Sequence, residues 1–556
     1  MKAFRVNAAV RQAPAELPDQ SLSRPSEGPG PQSLFARRMA GSTAPPAFLA
    51  LAAVVHILSL TNTPAPFVDE GWNAARAWGF IHSGRTFGVL DAGVIDSYEG
   101  HWTFFPWLPT LFQGLGIQLL GLSISSVRLV SLVFGLVLLI SIYQIAARLY
   151  DRWVGVMAML LVAASPAFMS ASHLARHDIM AASLGFGAIA LHVSNRGAHS
   201  PVVSGLSGLA IGLAFEIHPN GAIFGVTLVA LHCLDHGRLI LLAKGFWGFA
   251  AGICVGLAFY VAMHILPYPQ TYLSLTSIFF GPTRVPPILV PDPVHWVRSI
   301  ADAAELLSRS LTFAIPVAVM ALVAVWLRAS KSDKTLLVLA ASHFLAFSLL
   351  VRAKNDYYLI LVSPMLDLVL AVFLVSWACR LWHVSLWSRL RTALSLGLVL
   401  ASAMLSLTSA LDNPMDDYRA VTKQLAAIVP PDSSVMGSQT YWFELPNHRY
   451  LSWEQLVFYQ RQFPGSTLTD ALFALQPDYL VIDRQMRAYI GDGPAEVYNY
   501  ESFQLLVSRT ELQRFLDSHS RAVADVDTWT YGELRIYRLE YDSSQRPLPM
   551  QSRPGV

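Results

Sequence analysis

Asp69 and Glu70 form a pair of adjacent acids directly after the first strongly apolar run of the chain, in the stretch PAPFVDEGWNAARAW. A carboxylate held beside a substrate hydroxyl can act as a general base. Adjacent side chains diverge, so one acid would face a cavity while the other braces the backbone. The alternative is a solvated loop, in which Asp69 caps a helix and Glu70 interacts with the helix dipole.

A second polar cluster occupies a short connection between two apolar runs, SHLARHDIM, and holds His173, Arg176, His177 and Asp178. So short a connection must lie at a membrane surface. An acid beside two histidines and an arginine is costly there, which suggests a function, although the cluster could simply mark the interface. If a divalent cation binds, Asp69, Asp178 and His177 are its candidate ligands, but no metal-binding spacing is present.

Glu216 and His218, in AFEIHPNGAIF, flank another break between apolar runs. The Pro-Asn-Gly turn explains the break without explaining the acid, so we predict that both residues line the same site. A further turn, RAKNDYY, supplies Arg352, Lys354 and Tyr357. We predict that these residues bind a lipid phosphate; the alternative is that the two cations only snorkel towards headgroups.

The elements that must position these residues are apolar. Of 556 residues 54% are hydrophobic and only 14% are charged, whereas a soluble protein has about a quarter charged. Repeated apolar runs of about 20 residues indicate a polytopic α-helical membrane protein. Residues 1–45 are rich in Pro, Ser and Gly and carry six basic residues against three acids, which predicts a disordered cytoplasmic tail.

The basic connections alternate along the chain and so fall on one side, which the positive-inside rule makes cytoplasmic. After a first span at 46–60, the predicted spans are 126–146, 153–170, 178–194, 202–216, 219–234, 245–265, 310–328, 335–351, 357–377 and 392–411. The segment 104–122 contains Pro106, Pro109, Gln113 and Gln118, and a crossing there would reverse every later loop. We therefore predict that it lies along the outer interface or re-enters from it, which leaves eleven spans.

From Asp412 onward the apolar stretches shorten. AVTKQLAAIV has helical spacing, SSVMGSQTYWF reads as extended, and PDYLVIDRQ and GELRIYRLEY read as strands. The predicted organisation is a cytoplasmic tail (1–45), a transmembrane catalytic region (46–411) and a small extracytoplasmic soluble α/β domain (412–556).

The order of these features resembles the GT-C type glycosyltransferases. It is most similar to the branch with protein O-mannosyltransferases, the lipid A aminoarabinose transferase and the rhizobial galacturonosyltransferases. The resemblance covers roughly residues 46–370. It rests on two features. The first is the Asp-Glu pair after the first span. The second is a series of elements that ends at Asp178: a span, a turn that contains arginine, a second span that contains SPAF, and the acid itself. It implies that Asp69 is the catalytic base or binds the acceptor, that Asp178 helps to form the site, and that Arg352 and Lys354 hold the lipid phosphate. We predict Asp69, Glu70 and Asp178 as the catalytic residues.

The resemblance implies an inverting transfer of a sugar from a polyprenyl-phosphate donor to a hydroxyl of a glycan, lipid or protein. The protein would be multi-pass in a plasma membrane such as a bacterial inner membrane, with an extracytoplasmic active site and no nucleic-acid partner. The sequence requires no cofactor and leaves a divalent cation open. It contains no P-loop or dinucleotide fingerprint. Two other functions stay open: a transporter or flippase of lipid-linked sugars, which would need mid-membrane charges and repeated halves, and a non-catalytic envelope assembly factor.

Overall fold

The structure is a computed structural model. It describes residues 44–85, 88–91, 105–273, 286–310, 322–323, 326, 330–352, 354–381, 414–446, 448–463, 465–491 and 507–541. The chain divides into two compact units, Met1–Ala47 and Phe48–Val556. In the first unit only the beginning of one helix is described, so nearly all of the predicted tail lies outside the described residues.

The described residues before 382 are mainly helical. The helices are α1 (Ala44–Ser59), α2 (Val68–Ser83), α3 (Trp107–Leu120), α4 (Ile124–Leu149), α5 (Arg152–Ala163), α6 (Pro166–His173), α7 (Asp178–Asn195), α8 (Pro201–Ile217), α9 (Ala222–His236), α10 (Lys244–Tyr260), α11 (Pro293–Ser310), α12 (Lys331–Leu350) and α13 (Ser363–Leu381). A π-helical turn, Val261–Ile265, continues α10.

Four helical stretches among the described residues are long and apolar enough to cross a membrane: Ile124–Leu149, Pro219–Leu242, Lys244–Ile265 and Lys331–Leu350. The bent pair α5 and α6 adds a fifth if it counts as one span, and α1, α8 and α13 contain shorter apolar helices. The predicted spans at 310–328 and 392–411 lie outside the described residues, apart from 310, 322, 323 and 326. Eleven spans therefore stay a prediction.

Local sequence signals set several helix ends. The hydroxyl of Ser123 caps α4 by accepting from the N–H of Ser126 at 3.1 Å. Asp151 caps α5 by accepting from Trp153 N–H at 2.7 Å. Pro166 begins α6, and α5 and α6 meet there at 64°. Since proline donates no backbone hydrogen bond, the predicted span at 153–170 is a bent helix pair.

Helix α3 is the segment predicted to lie along the interface. With 14 residues it is about 21 Å long, well short of a hydrocarbon core about 30 Å thick. Two buried side chains on it, Thr110 and Gln113, face the rest of the molecule. Its length is consistent with the prediction that it does not cross.

The C-terminal part contains a five-stranded mixed sheet in the order β2-β1-β3-β5-β4. The strands are β1 (Ser434–Gly437), β2 (Arg449–Ser452), β3 (Tyr479–Ile482), β4 (Ser520–Thr528) and β5 (Gly532–Leu539). β1 pairs in parallel with β2 and β3, while β5 pairs antiparallel with β3 and β4. The helices are α14 (Pro414–Ile428), α15 (Gln455–Gln462), α16 (Leu468–Leu475), α17 (Arg484–Ala488) and α18 (Arg509–His519).

Most elements predicted for this part are confirmed: the helix over AVTKQLAAIV is α14, and the two strands are β3 and β5. The extended interpretation of SSVMGSQTYWF is wrong after Gly437, because Gln439–Glu444 forms a 3₁₀ helix. The tertiary packing explains the difference, since this 3₁₀ helix buries Tyr441, Trp442 and Phe443 against other elements.

The C-terminal sheet region shares a hydrophobic core with α2. Buried Ala74, Ala75 and Ala77 of α2 belong to the same cluster as Tyr418 and Tyr441. Gly71 permits the close approach, because a Cβ at this position would overlap the carbonyl group of Gln439 and lie 2.9 Å from its carbon. The region therefore packs directly against the helix that begins with the paired acids.

Candidate active site

Asp69 and Asp178 meet at one guanidinium. Asp69 lies in the first turn of α2, and Asp178 is the first residue of α7. Arg176 donates from Nη1 to Oδ2 of Asp69 and from Nε to Oδ2 of Asp178, the latter at 2.8 Å. The side chain of Asp69 is 36% exposed and that of Asp178 only 2%. The two acids that the sequence singled out therefore share one site, and Asp69 is the more accessible.

Glu70 points the other way and is fully buried. Its two oxygens accept from Nε and Nη2 of Arg128 on α4, both at 2.8 Å. They also accept from the backbone N–H groups of Phe67 and Ala175, both at 3.0 Å. Four donors fill the acceptor sites of a carboxylate, so this geometry favours a bracing role for Glu70 over the predicted catalytic one.

The loop between α6 and α7 is fixed through Ala175. Its N–H donates to Glu70, and its carbonyl accepts from Asn73 at 3.1 Å and from Gln113 at 3.2 Å. Helices α2 and α3 thus hold the backbone of the residue next to Arg176. This positions the guanidinium between the two aspartates.

The second oxygen of Asp178 faces His218. Within the described part of the chain, Oδ1 of Asp178 is buried without a hydrogen-bond partner. Nε2 of His218 lies 3.9 Å away. Nδ1 of His218 accepts from the N–H of Asn220 at 3.1 Å, so the neutral ring carries its hydrogen on Nε2. Burial lowers the pKa of His218, while Asp178 opposes that shift. A donor nitrogen and an unsatisfied carboxylate oxygen therefore face each other across a gap that a hydroxyl could bridge.

Aromatic rings line the same site. Tyr357 covers the guanidinium of Arg176 at 4.3 Å and packs against Phe67 at 5.0 Å. The ring of Tyr358 lies 5.3 Å from that of His218. Tyr357, which the sequence predicts to bind phosphate, therefore lies next to the Asp69–Arg176–Asp178 cluster, because its ring contacts Arg176.

His177 precedes α7 and lies 6.2 Å from the ring of Phe105. Burial lowers the pKa of His177 to about 3 and outweighs the opposing effect of Asp178. The imidazole is therefore neutral at working pH. It can donate or accept a hydrogen bond but adds no charge to the site.

Two predicted site-lining residues, Glu216 and His173, make contacts with other helices. Glu216 caps α3 by accepting from Trp107 N–H at 2.6 Å, and it also contacts Nε2 of His264 at 3.1 Å. His173 is hydrogen-bonded to His56 at 3.0 Å and to the carbonyl of Thr63 at 2.9 Å. Glu216 thus connects α8 with α3, and His173 connects α6 with α1.

Arg352 and Lys354 lie in the connection between α12 and α13. Lys354 donates to the carbonyls of Phe347, Ser348 and Val351 at the end of α12, at 2.8 Å to Ser348. Burial lowers the pKa of Lys354 to about 8, although Asp302 opposes the shift. A phosphate at Lys354 would have to replace some of these carbonyls.

A divalent cation does not fit the described residues well. Among them, no group of three His, Cys, Asp or Glu side chains could hold a metal ion. The guanidinium of Arg176 lies between the two aspartates proposed as ligands and would repel a cation.

Sequence reasoning missed four side chains that support the site: Arg128, Asn73, Gln113 and His56. The role of Arg128 could have been predicted, because an arginine within an apolar run requires a buried acid as its partner. Asn73, Gln113 and His56 carried none, since their partners are backbone groups or another histidine far away in sequence.

The sequence of this chain is similar to a known protein family. The family model of dolichyl-phosphate-mannose-protein mannosyltransferases matches residues 105–268. A search of curated proteins by sequence finds no significant match.

The fold is similar to that of ArnT from Cupriavidus metallidurans bound to undecaprenyl phosphate, with 15% identity and a TM-score of 0.58. The match covers 89% of this chain and 98% of that one. The oligosaccharyltransferase of Archaeoglobus fulgidus, tethered to an acceptor peptide, is similar with 13% identity and a TM-score of 0.50, covering 92% of this chain and 75% of that one.

These findings confirm the resemblance derived from the sequence. At such low identity the solved structures establish the fold, and the family model matches the stretch from α3 to α10. The chain is a polytopic helical membrane protein with the GT-C fold.

Proposed function

We propose that this protein transfers a sugar from a polyprenyl-phosphate donor to an acceptor hydroxyl, with inversion and with Asp69 as the general base. The observation that carries the proposal is that Arg176 bridges Asp69 and Asp178, and that Asp69 is the more exposed of these two acids. The donor class is supported by the family model, named for dolichyl-phosphate-mannose, and by the ArnT structure with undecaprenyl phosphate.

Asp69 suits the role of base because the alternatives are engaged or enclosed. Glu70 is held by four donors and is inaccessible, and Asp178 is 2% exposed. Asp69 uses Oδ2 for Arg176, so Oδ1 would accept the proton of the acceptor hydroxyl as its oxygen attacks the anomeric carbon. A single displacement on the face opposite the leaving phosphate inverts that centre.

Asp178 and His218 would orient one sugar hydroxyl. A hydroxyl donates one hydrogen and accepts others, so it can donate to Oδ1 of Asp178 while it accepts from Nε2 of His218. It would relieve the buried, unsatisfied oxygen of Asp178. This contact would position the substrate without transferring a proton.

The leaving group is a lipid phosphate that gains negative charge as the glycosidic bond breaks. Arg352, Lys354 and Tyr357 would bind the phosphate, and the two cations would stabilise its charge. Lys354 would exchange part of its bonding to the α12 carbonyls for the phosphate. Membrane lipids surround the donor tail, and no nucleotide is needed.

We infer that the site is extracytoplasmic and that the protein lies in a plasma membrane. α7 begins at Asp178 and its 18 residues end beside Arg196, about 27 Å away. The site and a basic connection thus lie at opposite ends of one helix, as the positive-inside rule requires of an outer site. The acceptor, a glycan, lipid or protein, would reach Asp69 beside the C-terminal sheet region that packs on α2.

The test is release of polyprenyl phosphate from a panel of radiolabelled polyprenyl-phosphate hexoses and pentoses, using the full chain in nanodiscs with a cell-envelope extract as acceptor. Loss of a general base lowers the rate by about 10²–10⁴-fold, which we expect for Asp69→Asn. Asp416→Asn is the matched control, because this exposed acid forms an exposed pair with neighbouring Arg419 at 3.2 Å.

Full activity of Asp69→Asn would reject Asp69 as the base. Transbilayer movement of the intact labelled donor, without release of polyprenyl phosphate, would instead support the flippase alternative. If the wild type neither moves the donor across the bilayer nor releases polyprenyl phosphate, the result would favour the assembly factor.

A further inference from the structure

A second cavity, with a volume of about 620 Å³, lies at the ends of α7 and α9 remote from Asp178. It is bounded by the last residues of α7 and α9, the 3₁₀ helix Gly237–Leu242 and the first residues of α10. The titratable or charged side chains in its lining include His192, Arg196, His232, Asp235, His236 and Lys244. No proposed step of sugar transfer uses this cavity.

The charges in its lining are unbalanced in favour of the positive sign. Nε of Arg196 donates to Asp235 at 2.9 Å, and Nε2 of His192 lies 3.2 Å from the same carboxylate. That pairing satisfies the one acid in the lining. Lys244 has no matching acid in the lining, so the lining carries a net positive charge even when every histidine is neutral.

His232 supplies a buried polar group that no atom of the described residues satisfies. It is 2% exposed, and within the described residues neither of its ring nitrogens has a hydrogen-bond partner. Its ring lies 4.5 Å from that of His192 and 5.1 Å from that of Phe249. A buried imidazole without a partner is costly, so a ligand that accepts its N–H would recover that cost.

The beginning of α10 faces the same cavity. Lys244 and Gly245 line it, and Ala243 at the N-cap has no side-chain acceptor. The first N–H groups of a helix lack carbonyl partners inside the helix and carry the positive end of its dipole. Together with the unsatisfied His232, this end of a 17-residue helix favours an oxyanion.

The rim of the cavity is apolar. Leu239 and Leu242 belong to the lining and yet are 64% and 77% exposed, and Trp247 nearby is 57% exposed. A tryptophan at the end of a bundle of spans is typical of the membrane interface, and exposed leucines beside it can contact acyl chains. A ligand with an anionic head and an acyl tail fits both parts of the cavity.

We propose that this cavity binds the phosphate of an anionic phospholipid in the leaflet opposite the active site. Lys244, the N–H groups at the start of α10 and the imidazole of His232 hold the phosphate, and the acyl chain lies along Leu239 and Leu242. The site does not depend on the proposed transfer reaction, because its test measures binding alone.

The test uses the full chain in dodecyl maltoside, with native mass spectrometry of added phosphatidylglycerol, diacylglycerol and inorganic phosphate. We expect retention of phosphatidylglycerol, no retention of diacylglycerol, and an affinity about ten-fold or more weaker in Lys244→Gln. His232→Leu, which removes an unsatisfied polar group, should weaken binding without loss of thermal stability. Lys334→Gln is the matched control, because it removes an exposed lysine at the same end of the bundle but outside the lining.

Equal retention of phosphatidylglycerol and diacylglycerol would overturn the proposal, as would unchanged affinity in both variants. Binding of inorganic phosphate without phosphatidylglycerol would also overturn it, because the apolar rim would then have no role. A loss of affinity in Lys334→Gln equal to that in Lys244→Gln would show only attraction to the charged surface and would reject the cavity as the site.

Discussion

The fully buried pair of Glu70 and Arg128 should be the most sensitive interaction behind the active site. Both side chains have 0% exposure, and two hydrogen bonds of 2.8 Å join them. Replacing Glu70 with Gln preserves the shape and removes the charge. Among the described residues, the guanidinium of Arg128 then stays buried with the carbonyl of Leu60 and one amide oxygen as its acceptors.

The magnitude follows from the bonds that are lost. A glutamine amide nitrogen in the place of one oxygen removes a bond to Arg128 and a bond to a backbone N–H. These are worth about 1.5–3 and about 0.5–1.5 kcal/mol respectively. Breaking one side of a buried ion pair costs about 3–5 kcal/mol in measured cases, which agrees with that sum. We expect Glu70→Gln to lower the free energy of unfolding by about 3–5 kcal/mol.

The assay is an unfolding titration in mixed micelles for Glu70→Gln, Arg128→Met and the double variant. Each single variant leaves one unpaired buried charge, whereas the double variant leaves none. The double variant should therefore be about 3 kcal/mol more stable than the sum of the single effects predicts. Asp416→Asn, which breaks the exposed pair with Arg419, should change little.

Two results would refute this reasoning. If Glu70→Gln unfolds like the wild type, the carboxylate does not brace the α2 and α4 helices. If the double variant equals the sum of the single variants to within about 0.5 kcal/mol, the two residues are not coupled.

Two further predictions concern the phosphate and the C-terminal region. Burial lowers the pKa of Lys354 to about 8, and only the protonated ammonium attracts phosphate. We therefore expect kcat/KM for the donor to fall as pH rises through about 8 and to stay level in Lys354→Arg, whose guanidinium remains charged; identical pH profiles would reject the phosphate contact. A Cβ at position 71 overlaps the backbone of Gln439, so Gly71→Ala should cost about 1–3 kcal/mol and increase proteolysis of the C-terminal region. Gly187→Ala, where a Cβ has ordinary contacts, should have neither effect, and equal behaviour of the two variants would contradict the packing argument.

The class of protein and the main acids could be predicted from local features. Apolar runs identify helices that cross a membrane, because the length of a run and the thickness of a bilayer are independent of tertiary contacts. An acid such as Asp69 or Asp178 at the end of an apolar run is costly and therefore conspicuous. The alternation of the basic connections suggested that these two acids share a side, and the structure joins them through Arg176.

The roles of neighbouring acids could not be predicted. Nothing in the order of Asp69 and Glu70 tells which one turns inward, because that depends on Arg128, 58 residues away from Glu70. Glu216 is comparable: its position at a turn suggested a site residue, whereas it caps α3, whose first N–H lies 109 residues distant. Each assignment depends on which helix ends meet in space.

The sequence by itself determined that the chain is a polytopic membrane protein of GT-C type, with acids at one end of its helices and arginines at the other. Only the tertiary structure decided that Arg176 bridges Asp69 and Asp178, that Glu70 braces the site, and that the C-terminal sheet packs on α2. The reason is physical: hydrophobic length and charge bias act within a segment, whereas hydrogen-bond partners are selected by packing between distant segments.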